Sequence, residues 1–248
     1  MMSISISPDA ATLMRDAARQ ILALSRAAID AHNVFHIALS GGNTPNALFG
    51  LMASPEYAAQ FDWAHIHLWW SDERYVPLES PELNYNMAND ALIRHVRIPP
   101  ANVHRTPVEH PATEAAEDYE AEIVRTLGAS LPGFDVILLG LGDDGHTASC
   151  FPGTLGALPP DRLVAAHFVP KVKMWRITFT PRLLNAAQHV IFLVSGTGKA
   201  AILERVLHGP YQPDVLPAQI VAPQHGDLTW MIDAAAAAGL SNHNEARS

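Results

Sequence analysis

Apolar residues near the start of the chain recur at helical spacing. Met14, Ala17, Ala18, Ile21, Leu22, Ala28 and Ile29 fall on one face of a predicted helix. Ser7-Pro8 just ahead of them supplies a candidate N-cap and first helical residue. Short apolar segments follow at 34–39, 65–70, 134–141, 163–169, 175–180, 189–194 and 228–232. Several are continuous rather than alternating, the pattern of strands buried on both faces of a largely parallel sheet. Between them lie helical patterns at 44–52, 84–95, 112–127 and 197–207, the last stopped by Gly209-Pro210. Strand and helix alternate along nearly the whole chain, which predicts an α/β, Rossmann-like, doubly wound and mainly parallel sheet with helices on both faces. There is no internal repeat and no long linker, so residues 1–248 are expected to form one domain. Stretches 98–111 and 209–217 read as ordered surface connections, and the polar tail after Gly239 as frayed.

Composition narrows the class. With 48% hydrophobic and 17% charged residues, the chain has the profile of a packed globular protein. A formal net charge of −9 argues against non-specific nucleic-acid binding, which needs a basic face. The N-terminus lacks the charged and apolar regions of a secretory signal, and no apolar run approaches the roughly 18 residues of a membrane helix. The single cysteine, Cys150, can form no intrachain disulfide. A cytoplasmic protein with no membrane partner is expected. Nothing demands an obligate dimer, so a monomer is expected, with a weak dimer as the alternative.

In doubly wound sheets, ligands sit beyond the carboxyl ends of the strands. After the first predicted strand comes Ser40-Gly41-Gly42-Asn43-Thr44-Pro45, where Thr44 is suited to cap a helix beginning at Pro45. The glycines let backbone N–H groups face an anion at the helix N-terminus, or they simply make a tight turn. After the second strand comes Ser71-Asp72-Glu73-Arg74-Tyr75-Val76. Arg74 could fork onto a phosphate or a developing oxyanion; the competing reading is a loop-ordering ion pair.

The third loop is Gly140-Leu141-Gly142-Asp143-Asp144-Gly145-His146-Thr147-Ala148-Ser149. It formally contains G-x-G-x-x-G after a strand, the dinucleotide-binding pattern. Asp143 and Asp144 would put negative charge where a pyrophosphate must sit, and Pro152-Gly153 cuts short any helix, so that reading is rejected. The loop does place His146 beside carboxylates. An imidazole with the ordinary value near ~6.5 can take a proton from water at neutral pH, and a carboxylate can orient it. The competing reading is a structural histidine, one of thirteen. Cys150 and the aspartates match no established metal-ligand spacing, so no metal is expected.

Ser195-Gly196-Thr197-Gly198-Lys199 looks like the end of a P-loop. No glycine stands five residues before Gly198, however, and Ala200 replaces the magnesium-holding Ser/Thr. Lys199 can still serve as a point-charge phosphate ligand. Arg182 could add another cation, with solvated surface as the competing reading; Lys171, Lys173 and Arg176 form a basic cluster that either widens an anionic funnel or, the favoured reading, is solvated surface.

Taken in order, these loops resemble those of the 6-phosphogluconolactonases. The matching stretches also include Phe151-Pro152-Gly153, Ile177-Thr178-Phe179-Thr180, Arg182-Leu183-Leu184-Asn185 and Leu216-Pro217-Ala218, and together they run from about residue 36 to residue 233. The resemblance implies hydrolysis of 6-phospho-D-glucono-1,5-lactone to 6-phosphogluconate in the oxidative pentose phosphate pathway. It implies no metal or organic cofactor, and a small-molecule sugar-phosphate lactone as the only partner. By carry-over, His146 is the general base, Asp144 supports it, and Arg74 binds substrate or steadies developing charge. Gly41, Gly42, Asn43, Thr44, Arg182 and Lys199 hold the phosphate. The chain departs from the family pattern at Asn43 and Leu83, where serine is usual. Glucosamine-6-phosphate deaminases resemble the chain too, but they carry a glutamate five residues after the histidine, where this chain has Phe151. A non-catalytic sugar-phosphate sensor is the remaining alternative.

Overall fold

The computed structural model describes residues 1–128 and 133–242. In chain order the elements are β1 (Met2–Ser7), α1 (Ala10–His32), β2 (Phe35–Leu39), α2 (Asn43–Met52), α3 (Pro55–Ala58), β3 (Ile66–Trp70), β4 (Asp72–Arg74) and α4 (Asn84–Ala91). Then come α5 (Ala112–Leu127), β5 (Val136–Leu139), β6 (Val164–Val169), β7 (Met174–Phe179), α6 (Pro181–Leu184), β8 (His189–Val194), α7 (Ala200–His208) and β9 (Asp227–Asp233). Six strands form one sheet in the order β1-β9-β8-β5-β2-β3, and every pairing in it is parallel. This is the expected Rossmann-like α/β architecture.

Its central strands are apolar throughout because both faces are covered. Val136 and Leu138 of β5 pack with α1 and α2 on one side. Ile137 and Leu139 join Tyr119 of α5 and Leu203 of α7 on the other. A fully buried aliphatic side chain of this kind contributes about 1.5–3 kcal/mol.

The structure corrects several expectations. Segments 163–169 and 175–180 are strands, but they do not join the parallel sheet. With β4 they form a separate antiparallel sheet in the order β4-β7-β6. The chain passes between the sheets at Ser71, whose N–H donates to Leu39 O (2.9 Å) and whose carbonyl accepts from Phe179 N–H (2.8 Å). β1 was not expected at all; it adds an edge strand beside β9. The cap of α1 is Asp9, not Ser7: its carboxylate accepts from Thr12 N–H at 2.7 Å, while Ser7 Oγ donates to Asp16. A 3-10 turn spans Ala236–Asn242, with Ala236 and Ala237 buried; the rest of the tail expected to fray, 243–248, lies outside the described residues. Among the described residues, no helix is long and apolar enough to cross a membrane.

Candidate active site

The sheet order reverses between β2 and β5, and the loops leaving these two strands flank a crevice at their carboxyl ends. The small sheet closes one side of it. The resulting cavity holds about 400 Å³ and is lined by Gly41, Gly42, Arg74, Asp144, His146 and Lys199, among others.

The loop after β2 enters α2 earlier than the sequence suggests. Gly42, at φ 109°, takes the N-cap position and the helix begins at Asn43, so Thr44 is not its cap. This conformation is open to glycine at little cost, and no side chain caps the helix. Asn43 and Thr44 lie in the first turn, outside the residues that line the cavity. Gly41 has a different reason to be glycine: a β-carbon there would come within 2.0 Å of Asn84 Oδ1.

The glycines of the loop after β5 are likewise explained by packing. A β-carbon on Gly142 would stand 2.0 Å from His146 Nδ1, so this glycine makes room for the imidazole. The loop closes on itself through Gly142 N–H to His146 O (2.8 Å) and Thr147 Oγ1 to Gly140 O (2.9 Å). Of the two aspartates, Asp144 is the one that faces the histidine, with Oδ1 2.5 Å from Nδ1. Its other oxygen receives Lys171 Nζ at 2.5 Å. Burial works to raise the Asp144 carboxyl, but the hydrogen bonds from Lys171 and His146 outweigh it and bring the group down to about 2. Asp143 instead points outward, 85% exposed, and pairs with Lys199. The Phe151 ring lies against His146. Among the described residues, no hydrogen bond reaches His146 Nε2, and the residue lines the cavity.

The small sheet contributes two arginines that sit opposite each other in register, Arg74 on β4 and Arg176 on β7. Both line the cavity. Arg74 Nη1 donates to Glu82 O at 2.7 Å. Arg176 is not solvated surface: it is 9% exposed, and its buried Nε has no partner among the described residues. Burial pulls its guanidinium below the usual arginine range, partly offset by the Asp72 carboxylate. Among the described residues, neither arginine forms an ion pair with a carboxylate. Lys199 lies in a 3-10 turn ahead of α7, not in the continuous helix expected over 197–207. Arg182 is placed elsewhere: exposed on α6, it donates to Asp161 O at 2.5 Å and does not reach the cavity.

Lys171 and Arg176, favoured as surface from the sequence, line the cavity, and so do Asn84 and Asp72, to which sequence reasoning gave no role; the register of the small sheet sets Arg176 opposite Arg74.

Fold and cavity together define a Rossmann-like α/β protein whose crevice joins a carboxylate-held histidine to two arginines that, among the described residues, lack carboxylate partners. A family model described as glucosamine-6-phosphate isomerases/6-phosphogluconolactonase matches residues 8–230. The chain is 38% identical over 243 residues to a 6-phosphogluconolactonase of Nostoc, covering 96% of this chain and 98% of that protein. It is 41% identical over 208 residues to a 6-phosphogluconolactonase of Synechocystis, covering 82% of this chain and 84% of the other. The solved 6-phosphogluconolactonase of Thermotoga maritima superposes with a TM-score of 0.80 at 31% identity, over 94% of this chain and all (100%) of that one. The chain belongs to the glucosamine-6-phosphate isomerase/6-phosphogluconolactonase family.

Proposed function

We propose that this protein, as one monomeric cytoplasmic domain, hydrolyses 6-phospho-D-glucono-1,5-lactone to 6-phosphogluconate with His146 as general base. The observation that carries this reading is the His146–Asp144 contact at 2.5 Å, with Nε2 left free beside the cavity. A carboxylate on Nδ1 keeps the proton there and leaves Nε2 as the acceptor. Nε2 takes a proton from water as the oxygen attacks the lactone carbonyl. The bond from the carbonyl carbon to the ring oxygen then breaks, and the imidazolium returns its proton to that oxygen. Asp144 balances the transient imidazolium charge, and Lys171 keeps Asp144 ionised. A lactone is an activated acyl group, so a base and an oxyanion stabiliser suffice without a covalent nucleophile.

The dianionic phosphate needs fixed positive charge. Lys199, the uncapped start of α2 with Gly41, Gly42, Asn43 and Thr44, and the arginines of the small sheet supply it. Of these, Arg74 and Arg176 can serve either the phosphate or the carbonyl oxygen. Arg182 has no part in this arrangement. The Phe151 position supports a lactonase over a deaminase, because an aromatic ring can neither give nor take a proton there.

The test is lactone hydrolysis with spontaneous hydrolysis subtracted, run beside ammonia release from glucosamine-6-phosphate. Lactone loss proportional to protein, without ammonia, is the expected result. Ammonia release would transfer the protein to the deaminases. Silence in both assays, with 6-phosphogluconate still bound, would make it a sensor.

A further inference from the structure

We propose that Asn84 is a specificity residue whose side-chain oxygen receives a hydrogen bond from one ring hydroxyl of the sugar. The inference rests on the sugar-phosphate reading of this cavity and deepens it. Asn84 is the first residue of α4, 1% exposed, and lines the cavity. Its Nδ2 donates to Asp72 O at 3.0 Å. A carbonyl can only accept, so this bond fixes which way the carboxamide faces. Oδ1 is then buried, with no hydrogen-bond partner among the described residues. It stands against the backbone of Gly41, where even a β-carbon would meet it at 2.0 Å.

The position of Asn84 is set from behind as well as from the side. Leu83 occupies the N-cap of α4 and offers no capping oxygen. The carboxyl group of Glu73 on β4 takes over, accepting from Asn84 N–H at 2.7 Å and Tyr85 N–H at 2.9 Å. Glu73 is therefore a positioning residue for Asn84. The helix start, the carboxamide and the Gly41 turn form one packed unit.

A buried acceptor left unpaired is unfavourable, so a ligand that donates to it gains from the pairing. What it can bind is restricted by its chemistry. Oδ1 cannot take an ionised phosphate or carboxylate oxygen, which carries no proton. It needs a donor, and on a sugar-phosphate lactone the available donors are the ring hydroxyls. The cations of the cavity thus hold the phosphate end, while Asn84 inspects the polyol. A site built to pair with a hydroxyl discriminates strongly against the analogue that lacks it, because the protein's own polar atom is then stranded.

The experiment compares kcat/KM on 6-phosphogluconolactone and its 2-deoxy, 3-deoxy and 4-deoxy counterparts, for wild type, Asn84→Ala and Gly41→Ala. Wild type should lose roughly 10- to 100-fold on one of the three deoxy lactones, the cost of stranding one buried acceptor. Asn84→Ala should lose a similar factor on the parent lactone and show no further loss on that same deoxy compound. Gly41→Ala, which displaces the carboxamide without deleting it, should flatten the discrimination in the same way. This keeps the test available if Asn84→Ala does not fold. Equal turnover of all four lactones by wild type, or undiminished discrimination in both variants, overturns the assignment. If wild type turns over no lactone, the reaction is what fails. Calorimetric titration with 6-phosphogluconate and its deoxy analogues then reads the same coupling in Kd, and absence of that coupling, or of any binding, overturns the role of Asn84.

Discussion

Phe151 lies flat on His146, with ring centroids 4.0 Å apart and planes inclined by 15°. Gly142 leaves room for the imidazole and Asp144 holds its Nδ1, so the phenyl ring limits the remaining rotation. A base displaced by a fraction of an ångström loses much of its advantage over free imidazole. Phe151→Leu keeps an apolar side chain at this 4% exposed site but removes the stack. It should lower kcat about 10-fold with little change in KM. Unchanged kcat on 6-phosphogluconolactone would show that the stack does not position the base.

Asp144→Asn tests the carboxylate itself. The amide can donate to Nδ1, which moves the imidazole proton to Nε2 and removes the acceptor. A loss of kcat of about 10³- to 10⁴-fold is expected, as for the equivalent change in a serine-protease triad. Thermal unfolding should show the variant folded. Because Asp144 stays ionised down to about 2, the wild-type pH–rate profile should contain no limb from this carboxyl above about pH 4. Retention of more than about a tenth of kcat would reduce Asp144 to a structural contact.

Lys171 reaches Asp144 from the turn between β6 and β7 and offsets the burial that would otherwise raise that carboxyl. Lys171→Met deletes the charge and keeps much of the stem. The expected result is a several-fold fall in kcat, with loss of activity from Asp144 protonation setting in at a higher pH than in wild type. A profile that overlays wild type would separate Lys171 from the pair.

Much of this architecture is legible without coordinates, and the failures share a cause. Helix α5 and strand β8 have the bounds their periodicity predicts, because each buries one stripe or both faces in an apolar core. Strands β6 and β7 are apolar for the same reason, but an apolar run does not say which sheet it joins. Strand β4 is Asp-Glu-Arg, which no hydrophobic pattern could mark. It forms because Ser71 hands the chain from one sheet to the other. His146, Asp144, Arg74 and Lys199 were readable as candidates because each sits in a loop beside glycine or at a strand end. Arg176 was not. Next to Lys171 and Lys173 it looks like surface, and only its register opposite Arg74 turns it inward.

Burial pushes the Glu73 carboxyl up to about 7, against the N–H bonds from Asn84, Tyr85 and Arg74 that favour its anion. Between pH 4.5 and 7 the native state therefore keeps a proton that the unfolded chain has released. The contribution of this group is fully present below 4.5 and lost as pH rises through 7, by on the order of 3 kcal/mol. Glu73→Gln abolishes that titration. Urea unfolding across this range should show wild type losing stability relative to the variant as pH rises. A difference that does not vary with pH would rule out a native Glu73 that ionises near neutrality.

At the opposite end of β2 from the cavity, His36 pairs in register with His67 of β3, their rings 4.8 Å apart. Burial, then the neighbouring histidines, lowers His36 to about 3 and His67 to about 4. Trp69 Nε1 donates to His36 Nδ1 at 3.2 Å, and His67 Nδ1 lies 2.9 Å from His104 Nε2, contacts suited to neutral rings. In the unfolded chain both should titrate near 6.5. Their stabilisation is complete above that value and lost as pH falls through 4 and then 3. Each histidine steepens the rise of unfolding free energy with pH by up to ~1.4 kcal/mol per unit in the window below 6.5. His67→Gln should reduce the slope between pH 4.5 and 6 by most of one proton, whichever way it moves stability at neutral pH. Glu73 opposes the histidines in the same interval, so the measurement is cleanest in the Glu73→Gln background. An unchanged slope there would mean that His67 is already charged in the native protein, and the neutral pair between β2 and β3 would have to be abandoned.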